Sequence, residues 1–218
     1  MANGRAGFRW LALYLTGICI VVFVLSQAFP EMLYGNFVLE RESFNQKPWT
    51  FLTHIFLHID IKHLYFNMFA LAVFGTMFER QAGSRRFLPV FILGGMFSAA
   101  VGLFFYSSLL GSSGAIFSLL GCYAVFRPKS VVWVLGVPMY VIVALFVWAF
   151  VDLLGIFAVD NTAHVAHLGG MLFGVFCGLY LRKLIPEQKA GRKKPALTER
   201  ELEEWERKYM ELKVAVPF

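Results

Sequence analysis

Residues 111–126 read GSSGAIFSLLGCYAVF, a turn of glycine and serine followed by an apolar segment of only about fourteen residues. At about 1.5 Å per residue a helix of that length rises about 21 Å, whereas the hydrocarbon core of a bilayer is about 30 Å thick. A membrane helix beginning at Ser113 would therefore start below the membrane surface, and residues 107–112 would enter the bilayer as irregular backbone. Such backbone is tolerated only where it is buried in protein or faces a water-filled cavity. The sequence thus predicts a cavity above Ser113.

The composition of the whole chain indicates a membrane protein. Of its residues 58% are hydrophobic and 16% are charged, and the mean hydropathy is +0.64. A chain of this kind is too apolar for an ordinary soluble domain. Six apolar stretches qualify, or nearly qualify, as spanning helices of about 20 residues. We expect an all-α membrane protein in which residues 1–185 form one domain with spans at about residues 10–29, 62–78, 87–106, 113–126, 131–158 and 162–181.

Basic residues near the ends of these spans predict the orientation, because Lys and Arg resist translocation. They are frequent on the side of the N-terminus and scarce on the other side. We therefore expect both termini in the cytoplasm, and the net charge of +6 reflects this topology rather than nucleic-acid binding. The two sets are Arg5, Arg9, Arg80, Arg85, Arg86, Arg127, Lys129, Arg182 and Lys183 on the cytoplasmic side, and Arg41, Lys47 and Lys62 on the outer side.

Two regions lie outside the spans. Residues 30–61, here called the first outer loop, mix apolar and charged side chains, which predicts a loop partly embedded in the membrane interface. Residues 186–218 form a basic tail in which Thr198 and Glu201 have the spacing of a capping box for a helix starting near Glu199. That helix could dock on the membrane surface or on a partner, or have no specific role. Its apolar face would carry Leu202, Trp205, Tyr209 and Leu212.

Ser113 is a candidate nucleophile because of its position at the start of the short helix. Free N–H groups and the helix dipole at an N-terminus stabilise developing negative charge. Gly111 and Gly114 would relieve the turn and permit close approach of the backbone. The alternative is that these small residues serve helix packing alone.

Two histidines in the sixth span supply a candidate base. His164 and His167 are three residues apart and so lie near one face of the helix, on which Gly170 and Gly174 continue as a G-x-x-x-G packing motif. An ionisable residue inside a span is a functional candidate, and a positioned base contributes about 10² to 10⁴ in rate. The alternative is a structural hydrogen bond between helices.

No carboxylate stands out as a partner that would orient such a base. Asp152 is expected deep in the fifth span and Asp160 in a loop. We therefore expect a Ser-His dyad rather than a triad. His63 and Asn67 are four residues apart near the outer end of the second span, and both can donate hydrogen bonds to an oxyanion. A polar cap with an interhelical hydrogen bond is the alternative for this pair.

Together these residues resemble the rhomboid intramembrane serine proteases over about residues 49–184. By that resemblance Ser113 is the nucleophile and His167, rather than His164, is its general base. The residues alone do not choose between Ser112 and Ser113, nor between the two histidines. The motifs that carry the resemblance are His63-x-x-x-Asn67, Glu79-x-x-x-Gly83-Ser84, Gly111-Ser112-Ser113-Gly114, and His167-Leu168-Gly169-Gly170 with Gly174.

The resemblance also implies supporting roles. His63 and Asn67, with the backbone N–H of Ser113, correspond to the residues that stabilise the oxyanion, and Phe117 falls where an aromatic ring supports the catalytic histidine. One departure concerns Trp49, which is followed by Thr50 where the family often has arginine, so a role for that arginine does not carry over. Proteolytically inactive relatives lack the serine, the histidine or both.

We expect a multi-pass protein of a prokaryotic cell membrane, and the resemblance implies that it cleaves single-span membrane proteins near the outer face. Such enzymes favour small residues at the cut and locally unstable helices, and the fifth span is the expected gate for lateral entry. The partners expected are these substrates and the lipid bilayer. We expect no cofactor, no metal ion and no nucleic acid.

Three other classes of protein remain as alternatives. The first is a non-catalytic binder or chaperone of rhomboid architecture that recognises unstable helices. The second is a channel or transporter, which the scarcity of charged residues in the spans disfavours. The third is a metalloprotease, disfavoured because there is no H-E-x-x-H motif. Its ligands would come from His54, His58, His63, His164 and His167.

Overall fold

The computed structural model of the chain describes residues 7–134, 136–158, 160, 162–185 and 199–214. The chain divides into two units, Met1–Leu184 and Ile185–Phe218. Within the described ranges it is mostly helical, with four short strands. The helices are α1 (Leu11–Ala28), α2 (Pro30–Phe37), α3 (Thr50–Thr53), α4 (Ile61–Ala70), α5 (Thr76–Ala82), α6 (Ser84–Gly102), α7 (Ser113–Phe126), α8 (Val141–Gly155), α9 (His164–Leu184) and α10 (Glu199–Val214); the strands are β1 (Leu39–Glu40), β2 (Ser108–Leu109), β3 (Val131–Val134) and β4 (Val137–Tyr140).

Four helical stretches in the described part of the chain are long and apolar enough to cross a membrane. They are α1, α6, α9 and the stretch Ile61–Ala82, in which a π-helical turn at Leu71–Gly75 joins α4 to α5. Helices α7 and α8 are apolar but shorter. The bounds of α7 coincide with those expected from the sequence, because a glycine-rich turn begins the segment and Arg127 follows its end.

The centre of the first unit is the packing of α7 against α9, with α6 against both. Glycines allow the two helix backbones to touch. A β-carbon added to Gly170 would collide with the carbonyl oxygen of Gly114, and one added to Gly174 would collide with the carbonyl oxygen of Ser118. Small residues at a helix interface permit this approach. It brings the N-terminal ends of α7 and α9 together.

The segment before α7 is hydrogen-bonded to the first outer loop. Strands β1 and β2 pair antiparallel, with Leu39 opposite Leu109, and both side chains enter a buried cluster with Ala99, Leu103 and Ala166. The N–H of Gly111 also donates to the carbonyl oxygen of His54 at 2.9 Å. These bonds satisfy backbone groups that would otherwise be unpaired beside the helix bundle.

Thr50 is buried within the first outer loop. Its hydroxyl donates to the carbonyl oxygen of Lys47 at 2.6 Å, and its own carbonyl oxygen accepts from Nδ1 of His54 at 2.8 Å. Only 1% of the residue is exposed. A threonine therefore suits this position as a small buried hydrogen-bonding residue, and the long side chain of an arginine would need a different local packing.

The expected helix over residues 131–158 is wrong in its first part. Residues 131–134 and 137–140 form a hairpin, with Val131 opposite Tyr140, and α8 begins only at Val141. Gly136 has a φ of 83° in the turn, a conformation that glycine adopts without strain. The four residues of β3 alternate between exposed and buried, as strand residues do, and three of them are the β-branched valine that favours strands. Hydropathy alone does not distinguish such a run from the start of a membrane helix.

The Glu79-x-x-x-Gly83-Ser84 motif closes the N-terminus of α1. The Glu79 side chain is fully buried and accepts from the N–H groups of Leu11 at 2.9 Å and Ala12 at 3.0 Å. It also accepts the hydroxyl of Ser84. A carboxylate is a favourable partner for the free N–H groups at a helix N-terminus. The motif therefore anchors α1 to the turn between α5 and α6.

The second unit contains α10, whose described residues are Glu199–Val214, so the predicted start near Glu199 stays a prediction. Leu202 is 46% exposed, and Arg200 lies 3.8 Å from Glu204 one turn later. Thr198 lies outside the described residues. So do the side chains of Trp205, Tyr209 and Leu212, and the shared apolar face of this helix therefore stays a prediction.

Candidate active site

The two serines of the GSSG turn have different environments. Ser112 precedes α7, is fully buried and shares a hydrogen bond of 3.2 Å with Nε2 of His58. Ser113 is the first residue of α7 and is partly exposed. Gly111 has a φ of 113°, which turns the chain into the helix and which side chains other than glycine rarely adopt. Only Ser113 is open to a substrate.

His167 lies directly against Ser113. The Ser113 hydroxyl is 2.8 Å from Nε2 of His167, which is a hydrogen-bonding distance, and the hydroxyl donates when that ring nitrogen has no hydrogen. Both residues are in the first turn of their helices, and the close packing of α7 on α9 holds these two turns side by side. The structure thus brings together a hydroxyl and an imidazole in the arrangement of a nucleophile and its general base.

A carboxylate does lie against the second nitrogen of His167, contrary to expectation. Oδ1 of Asp152 is 3.0 Å from Nδ1 of His167 and 2.7 Å from Nδ1 of His164. The expectation that no carboxylate faces the imidazole is therefore wrong. Asp152 lies one turn before the C-terminal end of α8 at Gly155, and at that end of the helix it faces the start of α9.

A signal for this contact was present in the sequence. The connection between α8 and α9 is short, running from Ile156 to Ala163, so the end of one helix must lie near the start of the next. Asp152 and the two histidines are therefore neighbours once the end of α8 is placed correctly. The side chain of Asp160 from this connection reaches Nε2 of His164 at 3.3 Å.

An aromatic ring covers the imidazole of His167. The ring centroid of Phe117 lies 4.5 Å from that of the imidazole, with an interplanar angle of 29°. Phe117 is one helical turn after Ser113 and so lies on the same face of α7. Trp148 of α8 contacts the edge of Phe117, with centroids 6.3 Å apart. The imidazole is thereby restricted in orientation between α7 and α8.

His63 and Asn67 lie on one face of α4, near the turn before Ser113. Asp60 accepts the N–H of His63 at 2.7 Å and so begins the helix. The imidazole of His63 fills the space beside Gly111, where a β-carbon would come within 2.8 Å of Nε2. The amide of Asn67 donates to the carbonyl oxygen of His63 at 2.9 Å, so its N–H₂ group is engaged with its own helix.

A small cavity of ≈ 30 Å³ lies beside Ser113. That volume is sufficient for an ordered water molecule, and polar groups line part of the wall. The cavity lies beside the turn that precedes α7. Its polar lining residues include His54, Ser98, Ser113 and His167.

In the described residues one cluster has the composition of a metal site. The ligating atoms of Asp152, His164 and His167 all lie within 4.8 Å of one another. Hydrogen bonds already account for this grouping, because both Nδ1 atoms lie at donor distance from the same carboxylate oxygen. The arrangement therefore does not require an ion.

The histidines proposed as ligands of a metalloprotease do not form one cluster. His54 and His58 are buried in the first outer loop and bond to Thr50 and Ser112 instead. Burial lowers the pKa of His54 to about 4. Burial, with the nearby His63, lowers the pKa of His58 to about 3. Both imidazoles are therefore neutral near pH 7 and act as structural hydrogen-bonding groups.

The chain is similar in sequence to proteins of one family. The sequence model of the Rhomboid domain matches residues 45–184. Rhomboid protease GluP of Bacillus subtilis is 37% identical over 138 residues, which cover 61% of this chain and 26% of that protein. Rhomboid protein 1, mitochondrial, of Saccharomyces cerevisiae is 29% identical over 82% of this chain and 55% of its own length. Rhomboid protease GlpG of Haemophilus influenzae is 24% identical over 84% of this chain and 97% of its own length. The chain therefore spans only part of the first two relatives and nearly all of the third.

Proposed function

Because the chain belongs to the rhomboid family of intramembrane serine proteases, we propose that it is a serine endopeptidase that hydrolyses peptide bonds in or near transmembrane helices of membrane-protein substrates. The observation that carries this proposal is the contact of 2.8 Å between the Ser113 hydroxyl and Nε2 of His167. It supports Ser113 as the nucleophile and His167 as the general base. The Asp152 contact is additional to this pair and is considered separately below.

The first half of the reaction follows from these two atoms. Oγ of Ser113 attacks the carbonyl carbon of the scissile bond while Nε2 of His167 takes the hydroxyl proton. The resulting tetrahedral intermediate collapses when the imidazolium returns that proton to the leaving nitrogen and the C–N bond breaks. An acyl-enzyme ester on Ser113 remains, and the amine product leaves.

The oxyanion of the intermediate needs hydrogen-bond donors. The N–H of Ser113 at the start of α7 is one, and the helix dipole favours the same charge. His63 lies against Gly111 and Asn67 is one turn further along α4, so both are near the turn that holds the nucleophile. We assign them as the two side-chain donors. Asn67 would exchange its bond to the His63 carbonyl oxygen for one to the oxyanion.

Water for the second half of the reaction would come through the cavity beside Ser113. His167 faces this cavity and can take a proton from a water molecule held there, which then attacks the ester carbonyl. The proton returns to Oγ of Ser113 as the ester bond breaks. The acid product leaves and the free hydroxyl is restored.

We assign six membrane spans to the protein, with α7 and α8 as the short fourth and fifth spans. The exposed Trp133 and Tyr140 of the hairpin before α8 are typical of an aromatic belt at a membrane surface, which supports placing the hairpin at the interface. With six spans both termini lie on one side, which the distribution of basic residues assigns to the cytoplasm. We also place the first outer loop at the opposite interface, in a prokaryotic cell membrane.

Single-span membrane proteins are the proposed substrates, entering between α8 and the rest of the bundle. Few residues of α8 are buried, and large apolar side chains such as Phe146 and Phe150 are 68% and 60% exposed. A helix held by so few contacts can move aside more readily than α7. The substrate helix must then unwind locally, since a peptide bond within an intact helix is shielded from Ser113.

Labelling with a fluorophosphonate tests the proposed nucleophile. The detergent-purified protein is treated with the reagent and its intact mass is measured, and Ser113→Ala and His167→Ala are compared with wild type. Labelling is expected in wild type and is lost in both variants. Ser112→Ala is the matched control, since its hydroxyl is buried, and it should retain labelling. Absence of labelling in folded wild type would favour the non-catalytic binder, and labelling of Ser113→Ala would exclude Ser113 as the nucleophile.

A further inference from the structure

The hydrogen-bonded pair of Ser113 and His167 is part of a longer chain of polar side chains. Asp152 continues it beyond His167, His164 follows at 2.7 Å from the same carboxylate oxygen, and Asp160 follows at 3.3 Å from His164. Asp152 is 3% exposed and His164 is 8% exposed, whereas 45% of the Asp160 side chain is exposed. The chain therefore runs from the protein surface to the nucleophile.

We propose that Asp152 is a positioning residue that holds His167 in the tautomer needed for proton transfer, and that His164 holds the Asp152 carboxylate in place. The inference rests on the proposed function and deepens it. A carboxylate only accepts hydrogen bonds, so Nδ1 of His167 must donate to Oδ1 of Asp152. In the neutral ring Nε2 then has no hydrogen, and its lone pair faces the Ser113 hydroxyl.

The same contact matters after the proton has moved. When His167 accepts the proton of Ser113 the ring becomes an imidazolium, and the adjacent carboxylate stabilises that charge. Phe117 covers one face of the ring but offers no hydrogen bond that would fix its rotation or its tautomer. Asp152 is the residue in contact that does both.

His164 supplies a hydrogen bond to the buried carboxylate of Asp152. Oδ2 of Asp152 has no protein hydrogen-bond partner among the described residues, and both histidine contacts of the carboxylate are made by Oδ1. His164 contacts a carboxylate with each ring nitrogen, and only the doubly protonated ring can donate to both. In that form it places a positive charge beside Asp152. Its ring packs where any side chain on Gly155 would collide, which fixes it in place.

The titratable groups around His167 come from several elements. Asp152 faces it from α8, His164 from its own helix, and His63 from α4, while α7 contributes the uncharged Ser113 and Phe117. Asp160 reaches the group only through His164. The pH dependence of turnover therefore reports this whole set, and single substitutions are needed to separate its members.

Kinetics of Asp152→Asn test the proposal. Asparagine keeps the size of the side chain, but its N–H₂ group can bond the other tautomer of His167. We expect kcat to fall about 10²- to 10⁴-fold, with KM changed less than about threefold. Glu31→Gln, an exposed acid of α2, is the control and should match wild type. A folded Asp152→Asn protein with kcat within about threefold of wild type would overturn the proposal.

A double-mutant cycle tests the part played by His164. We expect His164→Gln to lower kcat about tenfold or more, and to add nothing when combined with Asp152→Asn, since His164 acts through Asp152. If the losses in kcat of the two single variants add in the double variant, His164 does not act through Asp152. Asp160→Asn should have a smaller effect than His164→Gln because the side chain is more exposed.

NMR of the wild-type protein carrying isotope-labelled histidine keeps the proposal testable if Asp152→Asn does not fold. We expect His167 to be protonated on Nδ1 and not on Nε2, and the opposite tautomer would overturn the proposal. The outcomes also separate from those of the proposed function. If wild type is not labelled at Ser113, the proposed protease function is contradicted. If Asp152→Asn is fully active, only the positioning role of Asp152 is contradicted.

Discussion

Gly170 of α9 lies so close to Gly114 of α7 that a β-carbon on Gly170 would overlap the carbonyl oxygen of Gly114. Gly114 directly follows Ser113, and Gly170 is one turn after His167, so the spacing between the two helices also determines the spacing between Ser113 Oγ and His167 Nε2. Precision in the active site therefore depends on residues that have no side chain.

Gly170→Ala should separate the two helices and lower turnover more than stability. Because a displacement of about 1 Å can cost about 10²-fold in rate, we expect kcat to fall at least tenfold. The comparison is with Gly17→Ala in α1, where an added β-carbon meets nothing within 4 Å. That control should retain full turnover. Equal turnover in Gly170→Ala and wild type would mean that the helices adjust without moving the two catalytic side chains.

Asn67→Ala should reduce turnover much more than substrate binding. Loss of one oxyanion donor lowers kcat by about 10²- to 10³-fold, and KM should change little. Asn36→Ala is a closely matched control, because the Asn36 amide also donates to the carbonyl oxygen four residues earlier, on an exposed helix. Steady-state kinetics on a cleavable transmembrane substrate distinguish the two roles. Similar losses in kcat and in binding would point to a structural role for Asn67.

Glu79→Ala should destabilise the protein without changing the chemistry. Two backbone N–H groups of α1 and the Ser84 hydroxyl would lose a buried acceptor, at a cost of about 1–3 kcal/mol. We expect a lower midpoint of thermal unfolding in detergent and an unchanged number of turnovers per folded molecule. Ser84→Ala, which removes only one of these bonds, should have the smaller effect. An unchanged midpoint in Glu79→Ala would show that α1 is held mainly by its apolar contacts.

The free energy of unfolding should fall as the pH is lowered below about 6.5. Burial lowers the pKa of His54 to about 4 and that of His58 to about 3, whereas both protonate near their ordinary pKa once unfolded. The unfolded state thus binds more protons between these values, and each histidine contributes a slope of about 1.4 kcal/mol per pH unit until the pH reaches its folded pKa. Chemical unfolding followed at several pH values measures this slope. His54→Asn should reduce this slope by the contribution of one proton, which is about 1.4 kcal/mol per pH unit. An unaltered slope would contradict the lowered pKa of His54.

Deletion of residues 195–218 should leave hydrolysis intact. The second unit contains α10 and none of the residues assigned to the reaction. Turnover of the truncated protein, compared with the full chain in the same detergent, measures the effect. If the truncated protein folds correctly but loses activity, the tail has a role beyond an accessory helix.

Helices with clear ends could be predicted from the sequence. The bounds of α7 follow from the turn at Gly111 and from Arg127. The start of α8 could not be predicted in this way. The residues of the hairpin are as apolar as those of a span, and their pairing depends on a turn at Gly136 that hydropathy does not detect.

The sequence likewise predicted one contact of the candidate site and missed another. The proximity of Ser113 and His167 was expected from the resemblance and from the glycine face of α9, whereas the contact between His167 and Asp152 was not. That contact depends on where α8 ends relative to α9, which is a tertiary property.

The fourteen residues of α7 can be regarded as a ruler for the proposed substrates. Their rise of about 21 Å, set against a hydrocarbon core of about 30 Å, places the reacting atoms about 9 Å below the outer boundary, or about six residues along a helix. The position of a cut would then be counted from the membrane boundary rather than from a recognition sequence. Inserting three apolar residues at the outer end of a substrate helix should accordingly move the cleavage site by about three residues along the substrate. The depth of the cut below the membrane boundary should stay the same.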